Sequence, residues 1–377
     1  MSERKRILFH LNQLGFGGTE KAILTFCQNL DRTQFDLHLF ISQPLSLLRR
    51  ERIRLFRHFS KKNDEIYRIK LLNARIRLGQ FESILGQENI HQGSVRDFVK
   101  VCAQLTPDII HFNRGKWDKF FSAIEQHIPA NQCFVETNIF GYPAAPTYHR
   151  QISAYYFVSH WLMNKSAWHA GKGKVLLNPI KQPATDQTLR EQYAIPREAF
   201  VFGRISRPDL NDDDFIVRAF EQVAHSNCYL FILAPTRAIR DSQRPNNIIL
   251  LEPTIDEVEI SRFYNSLNAL LHYRREGETF GMNIAEAMMH GVPVISHDSD
   301  VDNAQLELLA ADEDGPVGLV SPRGDMEHYS RNMATLLNDP ELCALMEKNA
   351  RNRAARLYDE KIVTRTLEGY YRLLVKG

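Results

Sequence analysis

The chain has 377 residues, and its 44% hydrophobic and 24% charged content is ordinary globular usage, which excludes a disordered or fibrous chain and makes about two domains the expected division. Lys plus Arg total 47 and Asp plus Glu 45, a net charge of +2, which is too balanced for a protein that coats nucleic acid, so no nucleic-acid partner is expected. The five cysteines are far apart, with no Cys-x-x-Cys pair, so the sequence predicts neither a disulfide framework nor a zinc knuckle and fits a reducing cytosol.

Met-Ser-Glu-Arg-Lys-Arg precedes an apolar run, Ile7 to Leu11, too short for the core of a signal peptide, and nowhere do about 18 apolar residues run together as a membrane span requires. After that run come Gly15-Phe16-Gly17-Gly18 and then Ala22, Ile23, Phe26, Cys27 and Leu30 at helical spacing: strand, glycine turn, helix. Phe35 to Ser42, Pro107 to His111, Cys133 to Thr137 and Ala154 to Val158 read as further strands with helical stretches between several of them. This alternation predicts a parallel α/β sheet. His111 closes its strand here and reads equally as a cleft residue or as a satisfied strand-end histidine.

A polar, proline-bearing stretch around Pro179 and Pro183 interrupts the pattern, and Ala199 to Ile205 opens a new strand. The rhythm then repeats with strands at Tyr229 to Ala234, Ile248 to Leu251 and Ala269 to His272, a helix at Asn283 to Met289 and a strand at Val292 to Ser296. The reading is therefore a first domain at 1–177, a linker with the start of the second domain at 178–198, a second domain at 199–355 and a final amphipathic helix at 356–377.

The segment from Arg274 to Ile295 reads strand, loop, short helix, glycine stop, strand. Gly281 lets backbone approach a ligand, and the helix that follows offers amide N–H groups and a positive dipole end to an anion such as phosphate. Glu286, about one turn into that helix, suits the two hydroxyls of a ribose, while Glu278 in the loop is placed to accept sugar hydroxyls. Gly15-Phe16-Gly17 is not a dinucleotide fingerprint, because the third glycine would fall at Glu20.

Glu278 and Glu286, with seven residues between them around Phe280-Gly281 and ahead of Gly291-Val-Pro293-Val-Ile, resemble the Glu-x7-Glu signature of glycosyltransferase family 4. Gly17-Gly18-Thr19-Glu20, Asn178-Pro179, Gly203-Arg204-Ile205-Ser206 and Gly315-Pro-Val-Gly318 fall in the family's order, so the resemblance spans nearly the whole chain. It implies the GT-B fold, two Rossmann-like βαβ domains facing each other across a cleft, and retaining, hexosyltransferase-type transfer of a sugar from a nucleoside diphosphate sugar. It further implies that Glu286 holds the ribose, that Glu278 with the Phe280, Gly281 and Met282 backbone meets sugar and phosphates, and that Gly17 and Gly18 bring N–H groups to the same diphosphate. Arg204 would hold the departing diphosphate as a bidentate, permanently charged group, with no metal or other cofactor expected. Asp298, Asp300 and Asp302 have the Asp-x-Asp spacing of a metal site, but acidic turns share it.

Two departures stand out. Acids, Asp209 among them, occupy the place of a Lys the family usually carries after the arginine, leaving Arg207 as the substitute donor-binding cation, and Asn138 stands where a strand-end His is frequent. Asn138 is then expected to hydrogen-bond the donor sugar rather than act as a base. Residues 46–80 carry eleven Lys or Arg and three acids, interleaved with Leu47, Leu48, Ile53, Leu55, Phe56 and Phe59, a composition for a basic amphipathic helix resting on anionic membrane. The expectation is a cytoplasmic enzyme at the inner face of a membrane, acting on a glycan or lipid-linked acceptor in surface polysaccharide or glycoconjugate synthesis. A silent nucleotide-sugar binder or assembly partner, and a hydrolase or epimerase of the same fold, stay open as alternatives.

Overall fold

Strands in both halves of the chain are runs of Ile, Leu, Val and Phe, as strands covered on both faces must be. A computed structural model describes residues 4–43, 61–114, 124, 132–143, 146–206, 213–224 and 227–375. The chain forms two units, residues 1–179 with 363–377, and residues 180–362.

In the first unit, β1 (Lys5–Leu11), β2 (Phe35–Ile41), β3 (Ile90–Gln92), β4 (Ile109–Arg114), β5 (Cys133–Asn138), β6 (Ala154–Phe157) and β7 (Gly173–Val175) form one sheet in the order β3-β2-β1-β4-β5-β6-β7. In the second, β8 (Phe200–Ile205), β9 (Cys228–Leu233), β10 (Ile248–Leu251), β11 (Ala269–Leu271), β12 (Val294–His297) and β13 (Gly318–Ser321) run β10-β9-β8-β11-β12-β13. Every pairing in both is parallel. The winding reverses between β1 and β4 and again between β8 and β11. Beyond the carboxyl ends of two such strands the loops part in opposite directions, and that opening is where sheets of this kind take ligands.

Two sequence expectations change. The strand read as Pro107 to His111 is displaced to Ile109–Arg114, because β1 and β5 flank it and β5 pairs with it to Arg114. His111 is thus mid-strand and fully buried, with Nδ1 hydrogen-bonded to the Tyr371 hydroxyl and Nε2 to Thr137 Oγ1, so it is a satisfied core histidine. Residues 180–198, read as linker and start of the second domain, lie in the second unit and are bonded to it: Ala184 N–H donates to Ser261 Oγ, Leu189 N–H to Ser266 Oγ, and the Arg190 guanidinium to Ser266 O, Ala199 O and Asn268 Oδ1. The last helix starts at Glu360, not 356, since the helix Pro340–Leu357 ends at Tyr358, whose carbonyl accepts from Ile180 N–H.

Along that last helix, Val363, Leu367 and Tyr371 enter the core of the first unit, each buried side chain contributing about 1.5–3 kcal/mol. Tyr370 stacks on Tyr156 and donates to Val175 O at 2.9 Å, and Glu368 accepts Asp31 N–H. Of the basic stretch, residues 46–60 lie outside the described residues. Within the helix Lys61–Leu85, Arg77 is buried, donating to Gly15 O and Gln80 Oε1 rather than facing outward, while Leu72, Arg75 and Ile76 are exposed. Among the described residues no helix is long and apolar enough to cross a membrane.

Two buried imidazoles of the first unit give a pH prediction. His10, ringed by Phe40, Phe98 and Phe112, and His111 are both brought down by burial to about 3. The unfolded chain takes these protons near pH 6.5 and the folded chain does not, so stability is full above 6.5 and falls as pH falls below it. Each site contributes about 1.4 kcal/mol per pH unit. All three tryptophans (Trp117, Trp161 and Trp168) belong to this unit, so urea titrations followed by their fluorescence at pH 7 and pH 5 should differ by several kcal/mol; equal midpoints would show that the histidines charge within the fold.

Candidate active site

In the second unit the winding reverses beside Arg204 on β8 and His272 just past β11. Gly203, next to Arg204, is covered by Leu267: an added Cβ would lie 2.2 Å from Leu267 Cδ1, so the leucine side chain would have to move. Arg204 is 5% exposed, and its charge is felt at both His272 and the buried Tyr329 hydroxyl. That hydroxyl donates to His272 O at 3.1 Å and Ile295 O at 3.0 Å, clamping the ends of β11 and β12.

The loop after His272 carries Glu278. Asp302 N–H donates to Glu276 O and Ala304 N–H to Glu278 O, both at 2.9 Å, and Glu278 N–H donates to Gln305 Oε1 at 2.9 Å. Gln305 in turn donates to His297 O at 3.1 Å. Between these bonds Gly277, at φ +72°, lies so close to residue 302 that a Cβ would sit 1.6 Å from Asp302 O. Only glycine meets both conditions.

The side chain of Glu278 is 18% exposed; Arg274 Nη1 donates to its Oε2 at 2.9 Å, and His272 Nε2 stands 3.5 Å from Oε1. Burial alone would raise this carboxyl, but His272 and Arg274 outweigh burial and hold Glu278 below the usual carboxylate range. Burial drives His272 below the ordinary imidazole range, opposed by Glu278 and reinforced by Arg204 and Arg274. A neutral His272 beside an ionised Glu278 carries its proton on Nε2, which leaves Nδ1 to accept from Ser296 Oγ at 2.8 Å. His297 is fixed by the same logic: Nε2 accepts Arg274 N–H at 3.1 Å, so Nδ1 donates to Asp298 O. The result is an ionised carboxylate with lone pairs left for sugar hydroxyls, held from behind by neutral imidazoles.

Gly281, at φ +101°, caps the helix Met282–Met289, whose first amides belong to Met282 and Asn283. Phe280 is 2% exposed, its ring edge-on to Tyr358, so its side chain is withdrawn into the core and only its backbone is placed beside the helix start. Glu286 lies on this helix, half-buried, and accepts from the Tyr264 hydroxyl at 2.9 Å; Tyr264 also stacks on His290. Asp298 Oδ1 accepts Arg323 N–H and Asp300 pairs with the Arg323 guanidinium. Among the described residues no three His, Cys, Asp or Glu side chains gather as metal ligands.

Gly17, Gly18 and Asn138 belong to the first unit. Gly17 precedes the helix Gly18–Asn29 in extended backbone, and the Glu20 carboxylate folds back over it, 2.6 Å from where a Cβ would be. The glycine makes room for an acid that already faces the positive helix end. Asn138, 1% exposed, donates to Glu136 Oε1 and Tyr142 O and accepts Gly141 N–H, all at 2.8 Å. Both its amide hydrogens are thereby used within the turn. Arg207 lies outside the described residues. Sequence reasoning missed His272, His297 and Gln305, which come from three elements and meet only through folding; Arg274, four residues before Glu278, had a readable signal in that spacing.

Residues 238–353 match the family model described as glycosyl transferases group 1. No curated protein matches the sequence significantly. In structure, the chain is similar to a glycosyltransferase of Rickettsia africae (TM-score 0.73, 13% identity, 100% of each chain covered). It is also similar to Anabaena HepE solved with UDP and glucose (TM-score 0.71, 16% identity, 97% of this chain and 99% of that one) and to the sucrose-phosphate synthase of Thermosynechococcus elongatus (0.67, 16%, 98% and 99%). The two Rossmann-like parallel sheets thus match those of GT-B glycosyltransferases.

Proposed function

We propose that the chain is a retaining, hexosyltransferase-type glycosyltransferase that moves a sugar from a nucleoside diphosphate donor to a glycan or lipid-linked acceptor. The observation that carries the reading is the grouping of Arg204, the buttressed Glu278 carboxylate and the start of the helix bearing Glu286 within the second unit, around the reversal between β8 and β11. HepE, with its bound UDP and glucose, supports a uridine nucleotide as the first donor to test.

In this mechanism Glu286 receives the ribose hydroxyls, with the Tyr264 hydroxyl setting the direction of its carboxylate. Arg204 and the first amides of the helix Met282–Met289 take the diphosphate, and their positive charge stabilises the negative charge that grows as the glycosidic bond breaks. Glu278 accepts sugar hydroxyls and, being ionised, favours the positive charge that develops at the anomeric carbon. Asn138 has no basic function, so the leaving phosphate takes the acceptor proton, and metal-free catalysis rests on these charges. Lipid-linked acceptors and contact with anionic membrane accord with the basic composition of residues 46–80.

The test is calorimetric titration with UDP. Glu286→Ala is expected to weaken UDP about tenfold or more, the worth of hydrogen bonds to a charged group, with an unchanged melting profile. Absence of UDP, GDP, ADP and dTDP binding to the native chain would remove the reading.

A further inference from the structure

The turn that follows β5 presents two aromatic rings to solvent on a fixed backbone. Phe140 and Tyr142 are each 43% exposed, their centroids 6.3 Å apart and their planes at 53°. Large exposed rings on a loose loop would be unremarkable, since single exposed apolar residues are common. This loop is built differently. Asn138, buried beneath it, donates to Tyr142 O and accepts Gly141 N–H, while its second amide hydrogen goes to Glu136. From the other side Trp168 Nε1 donates to Gly141 O at 3.1 Å. Trp168 is itself edge-on to Tyr155 at 5.0 Å, so the support reaches into the strand β6. Partly buried hydrogen bonds on both sides thus hold the backbone between the two rings, although the rings themselves meet water.

The position is as telling as the rigidity. β5 is the neighbour of β4, and β4 borders the reversal of winding in the first unit. The rings therefore stand at the carboxyl ends of parallel strands, beside the place where such sheets bind ligands. A pyranose offers a face of C–H bonds, slightly positive, that suits the negative face of an aromatic ring, and rings that are already ordered lose little entropy on contact. A pair tilted by half a right angle suits two faces of a sugar, or two successive sugars, better than a flat peptide surface.

We propose that Phe140 and Tyr142 form the acceptor subsite, a stacking platform for a pyranose ring, so that the acceptor is recognised through its sugar and not through a lipid tail. This rests on the glycosyltransferase reading above.

The test uses the full chain saturated with UDP, with the methyl α- and β-glycosides of glucose, galactose and mannose as probes in saturation-transfer NMR. At least one glycoside is expected to show saturation concentrated on the protons of one ring face. That signal should fall about fivefold in the Phe140→Ala/Tyr142→Ala double variant and persist in Phe140→Trp, with UDP affinity within about twofold of the native chain in both. Loss of UDP binding by the native chain would defeat the glycosyltransferase reading itself. With UDP bound, three results overturn the platform alone: no glycoside contact, contact unchanged in the double variant, or a double variant whose UDP affinity falls along with glycoside contact. A fourth is loss of flotation on vesicles of phosphatidylglycerol and phosphatidylcholine in the double variant, which would assign the rings to a bilayer.

Discussion

Glu278→Gln is expected to lower kcat about a hundredfold or more, close to 2.7 kcal/mol of barrier, while UDP affinity stays within about threefold. The substitution keeps the volume and one acceptor oxygen, so the Gln305 and Ala304 backbone bonds that hold the loop are untouched. What it removes is the negative charge. In the native chain that charge survives partial burial because Arg274 and His272 hold it. Donor hydrolysis or transfer measured at saturating UDP-glucose, or at the donor that proves best, checks the prediction. A variant with native kcat would mean that Glu278 is an ion-pair partner of Arg274 and nothing more.

Gly277→Ala should be almost as damaging without touching any group that meets substrate. A Cβ at this position would lie 1.6 Å from Asp302 O, and at φ +72° the added methyl is strained even before that clash. The loop must move, which breaks the pairing of 276–278 with 302–304 and shifts the Glu278 carboxylate. The expected cost is about 2–4 kcal/mol of stability in the second unit and about a hundredfold in kcat, since displacement of about an ångström at a reacting centre suffices for that. Gly324→Ala provides the comparison: its φ is +74°, but nothing lies within 4 Å of the added carbon, so it carries the strain without the clash, about 1 kcal/mol. Thermal unfolding and initial rates of the two variants side by side decide the matter. Equal melting temperatures would show that the contact with Asp302 relaxes freely.

How much of this was legible before folding depends on what each feature is made of. β1, β8 and β9 are readable because a strand covered on both faces must be apolar along its length, as Ile7-Leu8-Phe9 and Leu230-Phe231-Ile232 are. β3, β7 and β13 are not, because Ile90-His-Gln, Gly173-Lys-Val and Gly318-Leu-Val-Ser are too short to establish a pattern and owe their conformation to the neighbour they pair with. β4 reads short in the sequence for a related reason: Asn113 and Arg114 look like a loop, yet pairing with β5 carries the strand to its end. The loop and helix around Glu278 and Gly281 can be read from local spacing. The environment that gives Glu278 its charge cannot, since Gln305 is 27 residues away in sequence and His297 acts through its backbone carbonyl and ring at once.

The last helix has a consequence for the order in which the protein becomes itself. Residues 363–377 belong with 1–179, and Val363, Leu367 and Tyr371 complete a core begun at Ile7. During synthesis the second unit has all of its residues when position 362 leaves the ribosome, whereas the first, translated earlier, still lacks a wall. His111 has no phenol for Nδ1 to meet until Tyr371 emerges. The half made first is thus the half finished last, and a nascent chain released a dozen residues early would present an open apolar face at the very surface where folding of the first unit ends.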